Sequence, residues 1–158
     1  MRVQAFLCNH AEVQNNLLYA MGIGVDRTFI PPGPPPPWPV SIAIGISVTV
    51  PWTQTNQQHS VTVDLVDADG RPVEVPTSAD TASPFEAGLA FNVGRPPDLR
   101  IGDDQTVSLA VVLPGLPMPA LGDYRFRVSI DGSVEQELRY RLISPQVMIA
   151  GPGGLPPG

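Results

Sequence analysis

Large apolar side chains fall on every second residue along most of this chain, and few folds accept that period. Ile42-Ala43-Ile44-Gly45-Ile46-Ser47-Val48-Thr49-Val50 sends its branched residues to one side and its small or polar residues to the other. Residues 85–93 and 124–130 repeat the pattern. Successive side chains of a strand point to opposite faces, so each segment reads as a strand with one face buried and one wet.

Strands are expected at 2–8 (with an extension to Val13), 17–24, 40–52, 59–67, 85–93, 106–113, 124–130 and 134–143, with a short edge strand at 73–75. Asn15-Asn16 is a turn pair that tolerates positive φ, which predicts a hairpin between the first two strands. A helix over 12–21 is disfavoured by that pair and by the Gly22-Ile23-Gly24 that follows. The run Pro31-Pro32-Gly33-Pro34-Pro35-Pro36-Pro37-Trp38-Pro39 lacks backbone donors, so 31–39 is read as an extended polyproline surface loop outside any ladder. Pro114 to Pro119 is read as a second extended connection.

The interior is expected to collect Val3, Ala5, Leu7, Ile42, Ile44, Ile46, Val48, Val61, Val63, Leu65, Leu89, Phe91, Val107, Leu109, Val111, Phe126, Val128, Leu138 and Tyr140. Phe126, Val128 and Ile130 are to share a face with Val134, Gln136 and Leu138. That parity calls for an odd loop, Asp131-Gly132-Ser133, and sets Arg127 opposite Glu137. Eight short strands with Pro- and Gly-rich connections predict an all-β fold: an antiparallel β-sandwich, immunoglobulin-like, over 1–149. The Gly/Pro tail 150–158 is expected to be disordered.

At 158 residues, 42% hydrophobic and 15% charged, the chain suits one domain with a real core and is too apolar for a disordered one. No apolar run approaches the ~20 residues of a spanning helix, and the start lacks the apolar core and cleavage site of a secretory signal. No membrane association and a cytoplasmic location are therefore expected. Net charge is −6 and all nine basic residues are Arg, an acidic balance that repels nucleic acid. Cys8, the one cysteine, reads as a small buried hydrophobe.

Leu121-Gly122-Asp123-Tyr124-Arg125-Phe126 resembles the entry to a late strand of immunoglobulin-like domains. There a tyrosine hydroxyl bonds back to the chain at the corner. Phe126 stands where antibody domains carry cysteine, so the likeness is to disulfide-free modules of the fibronectin kind. Further stretches resemble a bacterial, mainly actinobacterial, single-domain family of unknown function. They are Phe6 to Val13, Val50 to Asn56, Leu65 to Pro72, Val93 to Pro97, Gly122 to Tyr124 and Ile130 to Gly132, with Asn9 where that family's pattern calls for Asp. The resemblance implies a bacterial, cytoplasmic setting and no mechanism.

Candidate sites are few. His10, Glu12 and His59 are too few ligands for a metal centre and read as polar residues at strand ends. Asp64, Asp67 and Asp69 lack the closing Glu of a calcium loop and read as a reverse turn. No nucleophile motif or phosphate loop is present, and a Cys8–His10 dyad along one strand would be ~6–7 Å apart. No catalytic residue, metal ligand or cofactor is therefore assigned. Pro34, Pro35, Pro36, Pro37 and Trp38 are a candidate ligand for an aromatic groove, or else a stiff spacer. Trp52, Gln54, Asn56 and His59 form a polar, aromatic-flanked loop of the kind that binds a sugar or a protein. The sequence thus points to a non-enzymatic protein-interaction or structural module, acting on another protein or on itself through a sheet edge. A small-molecule or carbohydrate binding module is the alternative, and a metal-dependent enzyme comes third.

Overall fold

The computed structural model describes residues 1–76 and 81–145. The strands are β1 (Arg2–Cys8), β2 (His10–Gln14), β3 (Leu17–Met21), β4 (Arg27–Phe29), β5 (Trp38–Val50) and β6 (Gln58–Asp67). They continue as β7 (Glu74–Pro76), β8 (Ala82–Pro84), β9 (Glu86–Asn92), β10 (Gln105–Met118), β11 (Gly122–Ile130) and β12 (Ser133–Ile143). Among the described residues there is no α-helix, only a short 3-10 turn at Trp52–Gln54.

One sheet has the order β1-β5-β10 and a second the order β4-β12-β11-β6-β9, while β2-β3 and β7-β8 pair separately. The five-stranded sheet curls like half of a barrel. Alternate residues of both larger sheets meet in one core, where Ile42, Ile44, Ile46 and Val48 of β5 join Val63, Leu65, Phe126 and Tyr140. The two-residue burial period is therefore real. Apolar burial of this kind contributes roughly 1.5–3 kcal/mol per large side chain. Leu89 departs from the expectation and is exposed, because β9 is the outermost strand of its sheet. Val3, Val107 and Leu109 are only half-buried, on strands at the two edges of the smaller sheet.

The first hairpin needs correction. Asn15 and Asn16 do form its turn, with φ of +51° and +61°, but they join β2 to β3. The chain breaks at Asn9, and β1 pairs with β5 instead. The β2-β3 hairpin then lies across the outer face of the smaller sheet, where Cys8, Ala11 and Ala43 are buried with Phe6, Leu18, Ala20 and Ala110 packed against them. Its seat depends on Gly45. Phe6 is directly opposite Gly45, and a Cβ at Gly45 would sit 2.6 Å from the Phe6 ring. The eight strands of the two larger sheets thus include β4 in place of the predicted 17–24 strand.

Two proline-rich connections also enter the ladder in part. Pro39 pairs with Pro117 where β5 and β10 begin and end, so 31–39 is not wholly outside the ladder. Strand ends are where proline costs a ladder least. Pro114 and Gly115 form a bulge within β10, with Gly115 at φ +65° and its N–H donated to Ser41 Oγ at 3.2 Å.

The last hairpin reaches the expected Arg127–Glu137 register by a different route. The turn is Asp131-Gly132 alone, and a bulge between Val128 and Ser129 absorbs the odd residue. Val134 pairs with Ser129 and faces solvent as a result. Arg127 bonds not to Glu137 but to Asp64 of β6, through Nε at 2.7 Å and Nη2 at 3.1 Å. The expected tail, 150–158, lies outside the described residues.

Candidate functional site

Trp52, Gln54 and His59 come together where β5 passes into β6, and the sequence loop between them becomes a structured cluster. His59 is 5% exposed. Its Nδ1 is 2.8 Å from Asp131 Oδ2 and its Nε2 is 2.8 Å from the Gln54 carbonyl oxygen. Phe91 packs on the ring at 5.4 Å between centroids. Asp131 also accepts the Ser60 N–H at 2.8 Å. A carbonyl only accepts, and so does an ionised carboxylate, so only the doubly protonated ring makes both bonds at once. The Gln54 carbonyl and then Asp131 hold the His59 pKa above its usual value, against burial and the nearby amino terminus. The Ser60 N–H and then His59 hold the Asp131 carboxyl below its usual value.

Trp52 is not an open platform. The Arg95 guanidinium stacks on its ring at 4.4 Å and donates from Nη2 to the Trp52 carbonyl at 3.0 Å. Arg95 Nε donates to Thr55 Oγ1 at 2.5 Å, and that hydroxyl donates to the Trp52 carbonyl at 2.7 Å. Asn56 is exposed with φ +59°, its N–H bonded to Val93 O at 2.7 Å. Sequence reasoning missed Asp131, Thr55 and Arg95. Asp131 was visible only as a turn residue, because its reach to His59 depends on β6 lying beside β11.

Pro34, Pro35, Pro36, Pro37 and Trp38 lie at the other end of β5, about 40 Å from Trp52 by the rise of a strand. The prolines are exposed, and the chain bends at 32–34 and again at Pro36. Trp38 Nε1 donates to Pro34 O at 2.8 Å, folding the indole back on its own loop. Pro36 and Pro37 border an open cleft of about 550 Å³ together with Pro72, Val73, Pro119 and Tyr124. The Tyr124 hydroxyl donates to Ala120 O at 2.6 Å.

The other candidates are engaged locally. His10 and Glu12 are half exposed and 3.9 Å apart. Asp67 Oδ1 accepts from the N–H groups of Asp69 and Arg71, both at 2.9 Å, which is a side-chain-stabilised turn. Cys8 is fully buried, donates to Ala43 O at 3.5 Å, and burial pushes its thiol pKa up.

The outer face of the hairpin carries what no motif announced. Leu17, Tyr19, Met21 and then Ile23 are 59%, 48%, 64% and 61% exposed. Gln14, Glu12 and His10 flank them as the cross-strand partners of Leu17, Tyr19 and Met21. Leu18 and Ala20, on the opposite face of β3, pack onto the sheet below. The signal was in the sequence: Leu17-Leu18-Tyr19-Ala20-Met21 is apolar on both faces, and one of the two had to remain uncovered.

These features define an all-β protein of several sheets. The chain belongs to a family of unknown function (DUF6941), whose family model matches residues 3–143. No curated protein matches the chain, and no solved structure does.

Proposed function

We propose that this protein is a non-enzymatic interaction module, a bacterial cytoplasmic domain of the immunoglobulin-like sandwich kind, that docks another protein chain on the outer face of its β2-β3 hairpin. The observation that carries the reading is the row Leu17, Tyr19 and Met21 along β3, with Ile23 in the turn just beyond it, large side chains about half or more exposed. Surface apolar residues are normally scattered, and contiguous rows rimmed by polar groups mark contact surfaces. Glu12, His10 and Gln14 supply such a rim. The Tyr124–Ala120 bond supports the immunoglobulin-like comparison, since that corner is a feature of such domains. The carbohydrate alternative has less support, because Arg95 occupies a face of Trp52.

A photo-activated crosslinker placed at Tyr19 tests the proposal in cells. The expected result is one discrete adduct, absent at a control position on exposed Glu74 and lost when Leu17→Glu and Met21→Glu are added. An adduct of the same yield at both positions, or none at Tyr19, overturns it.

A further inference from the structure

The outward face of the five-stranded sheet concentrates positive charge in an acidic protein. Arg125 and Arg139 are direct cross-strand partners, and like charges so placed destabilise a strand pair unless something lies between them. Arg141, the next outward residue on β12, pairs with Arg27 of β4 and with Asp123 of β11. Four of the chain's nine arginines therefore meet here.

The local carboxylates do not balance them. Asp26 is held by Arg27 through two bonds of 2.7 Å, and Asp123 is bonded to Arg141. Glu137 stands 3.7 Å from Arg125 Nε, beyond hydrogen-bond range. That Nε is buried and makes no hydrogen bond, although Arg125 Nη2 donates to Ala68 O at 3.3 Å. Arg139 has no ion-pair partner among the described residues. A depression of about 270 Å³ opens between these groups, lined by Ala68, Asp123, Tyr124, Arg125, Arg139 and Arg141. A second, of about 200 Å³, shares Asp123, Arg139 and Arg141 and adds Asp26 and Arg27.

We infer that the depression between Arg125, Arg139 and Arg141 is a binding site for a phosphate-class oxyanion. The four arginines lining the two depressions outnumber the carboxylates beside them, Asp26, Asp123 and Glu137, and Arg139 is the guanidinium left over. Planar guanidinium groups suit tetrahedral oxyanions, which accept several N–H bonds at once. The volume admits a single phosphate with a small substituent, and the sources are free phosphate or a phosphomonoester. This site is independent of the hairpin surface.

The test is a titration of isotopically labelled protein at constant ionic strength, followed by amide resonances of residues 125, 139 and 141. Inorganic phosphate, glycerol phosphate and chloride are the three titrants. Saturable shifts with either phosphate, weakened about tenfold or more in Arg139→Gln, are expected from the loss of one charged hydrogen-bonding group. Tighter binding of glycerol phosphate identifies a phosphomonoester as the source, and tighter binding of inorganic phosphate identifies the free ion. Arg100→Gln, an exposed arginine outside the depression, is expected to bind as the parent does. Chloride-like, unsaturable shifts overturn the proposal. So does an unchanged affinity in Arg139→Gln, or an equal loss in Arg100→Gln, which would reduce the effect to total charge.

Discussion

His59 satisfies both of its neighbours only as an imidazolium, and this ties its protonation to the fold. The folded chain binds the proton more tightly than the unfolded chain, because the Gln54 carbonyl and Asp131 both accept from the ring. Its stabilising contribution is therefore complete below the ordinary histidine value of ~6.5 and fades as pH rises through the higher folded value. Asp131 works in the other direction. Its folded pKa is lowered, so its contribution is present above the ordinary carboxylate value of ~3.9 and is lost on acidification. Urea unfolding across pH should show a plateau between these limits and a decline on the alkaline side that is flattened in His59→Gln. A parent and variant with parallel alkaline declines would disprove the assignment. At Tyr124, replacement by Phe removes one partly buried hydrogen bond to Ala120 O. A loss of about 0.5–1.5 kcal/mol is expected in the same assay.

The elements hold position through a few side chains that their own strands do not explain. Gly45 leaves room for the Phe6 ring directly across the ladder, and that ring supports the hairpin above. Gly45→Ala drives a methyl group into the ring and should cost about 1–3 kcal/mol. Phe6→Leu in the Gly45→Ala background should recover part of that loss, as measured by urea midpoint. Strand β12 would offer a sheet edge for self-pairing if nothing lay beside it. Strand β4 runs parallel to its end there, Arg141 N–H donates to Asp26 O at 2.8 Å, and Tyr140 and Thr28 share a hydroxyl bond of 2.5 Å. The end of that edge, 141–143, is therefore occupied, and a chain pairing there would have to displace β4.

At the scale of the whole molecule, the two larger sheets meet through apolar contact and a polar stitch. Gln136 of β12 accepts the Ala5 N–H at 2.7 Å and donates to the Ala5 carbonyl at 2.8 Å. It thereby satisfies backbone groups on the outer strand of the other sheet. Gln136→Ala leaves both groups without that partner. A destabilisation of about 1–3 kcal/mol is expected, together with faster hydrogen exchange at the Ala5 amide. Protection at Ala5 equal to that of the parent would count against the stitch. Much of the architecture was legible beforehand, because alternation is local: side-chain direction in a strand repeats every two residues whatever lies opposite. Thus Ile42, Ile44, Ile46, Val63 and Phe126 were assigned to the interior without knowing their neighbours, and Asn15-Asn16 was recognised as a turn from its tolerance of positive φ. Pairing is a different matter. It depends on contacts between residues far apart in the chain, so the break at Asn9, the insertion of β4 beside β12 and the bulge that turns Val134 outward left no readable mark. The same holds for the candidate sites. Trp52, Gln54 and His59 were visible as a loop, but Asp131 joins them only because β6 and β11 are neighbours, and Arg125 faces Arg139 only because of the β11-β12 register. The sequence by itself determined which side chains share a face, since that follows from the backbone geometry of each strand. The tertiary structure alone decided which charged and apolar groups were left to meet a partner, since that follows from which strands lie side by side.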